Sequence, residues 1–175
     1  TPSVQTLTLV AGSGDILATS TTGLGVPNRL GALTVTSATN ATFSGPVYAA
    51  SFTQSGAAAG GMTTFDDVEN YSGAFSFTGV NLTTTGTLTT TTAGGNFDFT
   101  GTNLNVNNAL TVSGTTTITN SGLFTKNNTG AISSTGTFVQ NGAGANSLAA
   151  NITTTNTTIS FARAITLVEN VQLST

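Results

Sequence analysis

Polar and apolar positions alternate along almost the whole chain, but in runs of only three or four residues. Leu82-Thr83-Thr84, Phe97-Asp98-Phe99, Leu110-Thr111-Val112 and Thr117-Ile118-Thr119 are examples. Alternation of this kind sends successive side chains to opposite faces of an extended strand. From Thr78 to Gly144 the runs are cut by a small residue followed by glycine. The dipeptides are Thr78-Gly79, Thr85-Gly86, Thr100-Gly101, Ser113-Gly114, Ser121-Gly122, Thr129-Gly130, Thr135-Gly136 and Asn141-Gly142, mostly six to eight residues apart. β-Branched threonine keeps the backbone extended and glycine turns it. Earlier in the chain Val4–Val10, Ile16-Leu17, Leu33–Thr36, Ala41–Ser44, Val47–Ala49 and Ser51–Thr53 read as further strands. After Ala145 there is neither glycine nor proline. Asn146, Asn151, Asn156 and Asn170 are expected to take over the turns there, since asparagine tolerates left-handed backbone. No window has helical periodicity.

Three strand-turn units of this size predict a coil of about 20 to 24 residues, within the range of solenoid repeats. Seven or eight coils, each rising about 4.8 Å, give a rod of about 35 to 40 Å. The expected fold is therefore all-β, a right-handed parallel β-helix (β-solenoid) formed as one domain by residues 1–175. Within it, 1–30 is the expected capping or connecting segment, and 56–61 (GAAAGG) the expected flexible loop. Val, Ile, Leu, Phe and Ala should stack in ladders inside, with Thr and Asn outside and at the turns. The alternative is an antiparallel β-sandwich, as in pilus-type subunits completed by a neighbour's strand.

Composition narrows the class. Only 5% of residues are charged, which raises the question of disorder. Leu, Ile, Val and Phe total 42 of 175 residues, above the roughly 20% below which chains fail to build a core, so the chain is expected to fold. The basic residues are Arg29, Lys126 and Arg163, too few to neutralise a phosphate backbone, so nucleic acid is not an expected partner. No apolar run approaches the ~20 residues that span a bilayer, so membrane insertion is not expected. The absence of cysteine excludes disulfides and thiolate metal sites. No secretory signal pattern opens the sequence, which fits a processed chain or a segment of a longer one.

The runs Gly31–Ala57 (GALTVTSATNATFSGPVYAASFTQSGA) and Gly136–Thr175 (GTFVQNGAGANSLAANITTTNTTISFARAITLVENVQLST) resemble the β-strand repeats of large bacterial surface proteins. The group is that of filamentous haemagglutinin-like adhesins and autotransporter passenger domains. The resemblance implies right-handed parallel β-helices outside the cell, serving adhesion, aggregation or matrix formation. It departs from the group in its short length and in lacking a secretion domain or an Arg-Gly-Asp motif.

Reactive chemistry is sparse. With no His or Cys and six carboxylates, acid-base catalysis has few candidates, and no catalytic residue, cofactor or enzymatic activity is expected. Asp66, Asp67 and Glu69 form the one acidic cluster, a weak Ca²⁺ candidate without the spacing of a known calcium loop. Asp98 should face outward, opposite Phe97 and Phe99. None of the glycine dipeptides precedes a helix or a Lys-Ser/Thr pair, so none reads as a phosphate loop. Six Asn-x-Ser/Thr sequons, at Asn40, Asn70, Asn81, Asn127, Asn151 and Asn156, are candidates for glycosylation.

Thr-x-Thr pairs at Thr34/Thr36, Thr87/Thr89, Thr117/Thr119 and Thr153/Thr155 lie 53, 30 and 36 residues apart. Those separations fit no single coil length, so an ordered, ice-binding threonine face is not expected. The expected function is that of an extracellular structural protein, a rod or self-assembling filament subunit at a bacterial surface or in a matrix. Its expected partner is itself, end to end, or adjacent repeats of a longer chain, because residues 1–14 hold no charged side chain and the last ten only Glu169. The alternative is an adhesin segment that binds glycans or another cell surface, with an exposed patch near Tyr48 or Asp66–Tyr71.

Overall fold

The computed structural model describes residues 5–56 and 60–175. The alternating runs wind into a column. Its first coil contains β1 (Leu7–Val10) and β2 (Ile16–Ala18), the second β3 (Leu30–Ser37) and β4 (Ala41–Phe43), and the third β5 (Val47–Gln54) and β6 (Met62–Phe65). From the fourth coil onward there are three strands per coil. They are β7 (Glu69–Tyr71), β8 (Phe75–Thr78) and β9 (Asn81–Thr84), then β10 (Leu88–Thr90), β11 (Phe97–Gly101) and β12 (Asn103–Val106). β13 (Leu110–Val112), β14 (Thr116–Asn120) and β15 (Leu123–Lys126) form the sixth coil; β16 (Ile132–Ser134), β17 (Phe138–Gln140) and β18 (Ala145–Leu148) form the seventh. β19 (Ile152–Thr154), β20 (Ile159–Phe161) and β21 (Ile165–Leu167) complete the eighth, and β22 (Leu173–Ser174) follows.

Every strand pairing is parallel and joins one coil to the next. The molecule is thus a parallel β-solenoid of eight coils, and the antiparallel sandwich is ruled out by the direction of pairing. One sheet of eight strands runs β2-β4-β6-β9-β12-β15-β18-β21 and forms one face of the column. The other two faces, β7-β10-β13-β16-β19-β22 and β8-β11-β14-β17-β20, merge into a single 14-stranded sheet through β5. Val47 and Ala49 of β5 stand over Glu69 and Tyr71, whereas Phe52 and Gln54 stand over Phe75 and Phe77. Two short strands were expected here; a single bent one is found. Its inward phase slips at Ala50-Ser51, where both residues are half-buried, so the corner is turned without glycine.

The column is filled by ladders of like residues, because parallel in-register pairing places each side chain one strand spacing above its counterpart. Phe52, Phe75 and Phe97 stack with ring centroids 4.7 and 5.1 Å apart. Phe77 stacks on Phe99 at 5.4 Å, and Phe43 on Phe65 at 4.8 Å. Leu88, Leu110, Ile132 and Ile152 form the aliphatic ladder of another face.

The expectation of an apolar interior needs correction. Gln54, Thr63, Glu69, Thr84, Thr90, Thr116, Asn120, Lys126, Ser134, Gln140, Asn146 and Thr154 are buried as well. Most of these bond one another or the corner backbone. Gln140 Nε2 donates to Asn120 Oδ1 at 2.7 Å, and Thr116 and Ser134 share a hydroxyl bond of 2.6 Å. Asn146, expected in a turn, lies inside β18 and donates to Gln140 Oε1 at 3.2 Å.

Coil length is uneven. Stacked partners lie 19, 20 or 22 residues apart in the regular region and 25 or 26 apart between the first two coils. The corners absorb the difference, while the strands keep register. The expected flexible loop 56–61 includes residues 57–59, which lie outside the described residues, as does Val4 of the first expected strand.

Candidate functional site

The acidic cluster does not assemble as a unit. Asp66 and Asp67 are exposed, and Asp67 Oδ1 accepts the Val68 amide at 2.7 Å. Glu69 begins β7 and, by strand alternation, points into the column with Tyr71. The residue is 1% exposed, and neither carboxyl oxygen has a hydrogen-bond partner. Burial, followed by the charges of Asp67 and then Asp66, raises its pKa well above the ordinary carboxylate range. The Tyr71 hydroxyl is also buried without a partner, and burial together with the Glu69 charge pushes its pKa up. Among the described residues no group of three His, Cys, Asp or Glu side chains could hold a metal ion. A patch on Asp66–Tyr71 therefore reduces on the outside to Asp66, Asp67 and their neighbours, because Glu69 and Tyr71 are core.

Tyr48 does lie outside, half-buried, and is organised by Arg29. The guanidinium stands 5.9 Å from the Tyr48 ring centre. It donates to Ala49 O at 2.7 Å, Asn70 O at 2.6 Å and Asn70 Oδ1 at 2.5 Å, tying the second, third and fourth coils. Thr22, Gly25, Val26, Pro27, Pro46 and Tyr48 line a shallow cleft of about 230 Å³ beside it. Gly25 has φ of 77° and lies so close to the Tyr48 carbonyl that a Cβ there would overlap it. The floor of the cleft therefore depends on glycine.

The outer faces carry the repeating chemistry. On the eight-stranded face Leu17, Thr42, Thr64, Thr83, Asn105, Thr125, Ser147 and Thr166 stand in register, one per coil. A second row of Tyr48, Asn70, Thr89, Thr111, Ser133, Thr153 and Ser174 runs along the face begun by β7. The inference from uneven Thr-x-Thr spacing is therefore overturned as to alignment. Threonines do line up, in single rows, because coils of different length still pair strand on strand. Asp98 faces outward as alternation requires, between Ser76 and Thr117.

The sequons fall into two groups. Asn127, Asn151 and Asn156 are exposed, and Asn156 takes φ of 53°, the left-handed turn expected of it. Asn40, Asn70 and Asn81 are half-buried with their amides engaged. Asn40 Nδ2 donates to Asp15 Oδ1 at 3.0 Å, Asn81 Nδ2 donates to Gly61 O at 3.1 Å, and Asn70 Oδ1 accepts from Arg29.

Sequence reasoning missed Lys126, which ends β15 with its side chain inside the column. Its Nζ donates to Asn127 O at 2.8 Å, Thr129 O at 3.0 Å and Val106 O at 3.4 Å. Burial lowers its pKa to about 8. The only hint in the sequence was position: Lys126 alternates with the inward Phe124. Compared with protein-family models, curated proteins and solved structures, the chain matches none.

Proposed function

We propose that this chain is a segment of an extracellular structural rod at a bacterial surface or in a matrix. Its partner on this reading is another copy, end to end, or further repeats of the same kind. The observation that carries the reading is the unbroken parallel register of one strand per coil from β2 to β21. Such a stack resists bending, because each backbone hydrogen bond and each side-chain ladder is repeated along a single axis. Eight coils rising about 4.8 Å each place the first and last strands of that face about 34 Å apart. The coil that ends the described stack is still apolar inside: Ile159, Phe161 and Ile165 pack on the core while remaining half-exposed. A further coil would cover them. Negative-stain imaging and sedimentation over a concentration series test the filament form. Rods whose length grows with concentration are expected, and discrete monomers at every concentration refute self-association by this chain.

A second reading, an adhesin segment that binds glycans or another cell surface, is favoured by the two hydroxyl and amide rows. They offer uncharged groups at the spacing of the strands to a ligand that itself repeats. A glycan array tests it, with Thr83→Tyr/Thr125→Tyr as the control. Binding lost in the double variant supports the reading, and an array without hits refutes it.

A further inference from the structure

Glu69 is a carboxyl in a place built for an aliphatic side chain. Its ladder neighbours are Val47 in the coil before and Leu88 in the coil after. Leu110, Ile132 and Ile152 continue the same row. An ionised carboxylate here has no cation and no donor, and an unpaired buried charge costs far more than the backbone bonds around it return. A neutral carboxyl is tolerated. The elements packed against it offer no compensation: β5 brings Val47 and Ala49, and β10 brings Leu88 and Thr90. The charges that do act on it are acidic, Asp67 and then Asp66 on the approach to it. The other titratable group beside it, Tyr71 on its own strand, is itself pushed up by the Glu69 charge. Arg29 reaches β7 from outside, where it binds the Asn70 carbonyl rather than the carboxyl.

We propose that Glu69 is a proton-operated latch on the fourth coil. Neutral, its carboxyl rests in the aliphatic ladder and β7 stays in register between β5 and β10. Ionised, it leaves the ladder for water and takes β7 with it, opening the column at one coil while the others remain stacked. The sign follows from burial. Folding raises the proton affinity of this group, so its stabilising contribution is complete below the ordinary carboxylate range and is lost as pH rises through the raised value. The Glu69 contribution to the fourth coil is therefore greatest in acid.

Hydrogen exchange of the wild-type protein and of Glu69→Gln tests the latch, with Asp98→Asn as a control for loss of an outward acid. Opening that releases one proton becomes about tenfold more favourable per pH unit between the ordinary carboxylate range and the raised value, and levels off above it. After correction for intrinsic exchange, amides of Glu69–Tyr71 and of the paired Val47–Ala49 and Leu88–Thr90 should show that slope in the wild type and in Asp98→Asn. Glu69→Gln should show none. Equal slopes in wild type and Glu69→Gln, or a slope abolished equally by Asp98→Asn, overturn the proposal. Infrared spectroscopy of the wild type reads the same group without a substitution. A carboxylic-acid carbonyl band persisting above the ordinary carboxylate range is expected, and its absence in the folded protein overturns the latch.

Discussion

Phe75 lies face to face with Phe97, ring centroids 5.1 Å apart and planes 5° from parallel. Phe75 is the middle ring of a stack that begins at Phe52 and ends at Phe97, and Phe65 meets it edge-on. In-register parallel pairing imposes this geometry, since residues one coil apart have little room to offset.

The first prediction concerns that stack. Phe75→Ala opens a cavity between two other rings in the centre of the column and should cost about 3 to 5 kcal/mol. Phe161→Ala, at the half-exposed last coil, should cost clearly less. Denaturant midpoints of the two variants check the ordering, and equal losses would mean that the aromatic stack is not the mechanical centre.

Glycine at the corners yields a second prediction. A methyl on Gly144 would overlap the Gly122 carbonyl oxygen one coil below, whereas Gly94, at φ of 81°, has open space around it. Gly94→Ala should therefore cost only the left-handed backbone penalty, about 1 to 2 kcal/mol. Gly144→Ala must displace backbone between two coils and should cost more. Thermal unfolding of both variants decides, with each kcal/mol expected to move the midpoint by about 2 to 4 °C at this chain length.

Lys126 supplies a prediction with the opposite pH sign to Glu69. Folding lowers the proton affinity of this amine, to about 8, so the unfolded chain binds the proton more tightly. Its contribution to stability is present at alkaline pH and is lost as pH falls through about 8. Lys126→Met removes the charge and its stem fits the same space, so the rise in stability between neutral and alkaline pH should flatten. Melting temperatures of wild type and variant measured across that interval provide the check.

Arg29 is the subject of the last prediction. It spans three coils through Ala49 O, Asn70 O and Asn70 Oδ1, and lysine cannot reproduce that fork. Arg29→Lys should accelerate amide exchange in β3, β5 and β7 without altering β16 to β21. A change spread evenly over the column would show that the guanidinium does not act locally.

Much of the fold was legible because its signals are local. Phe97-Asp98-Phe99 could be read as a strand with the acid outside from three residues alone, and the glycine dipeptides marked many of the corners. Glu69 was not legible. It belongs to Asp66-Asp67-Val68-Glu69, which reads as a solvated acidic stretch, and only its two-residue offset from the buried Tyr71 puts it inside. Asn146 misled in the same way: its residue type suits a turn, but its phase within β18 is inward, where Gln140 supplies a partner. The threonine rows were hidden for another reason. Uneven coils erase any fixed period in the sequence, although pairing restores it in space.

The sequence by itself determined a run of short strands, the corners that separate them and a sparsely charged outer surface, since these depend on composition, on backbone preference and on alternation within three or four residues. Tertiary structure alone decided which residue stands above which, and therefore which polar side chains are inside the column and which hydroxyls form rows outside it. The physical reason is that stacking partners are 19 to 26 residues apart, and the corner lengths that set each offset are free to vary while the strand hydrogen bonds are not.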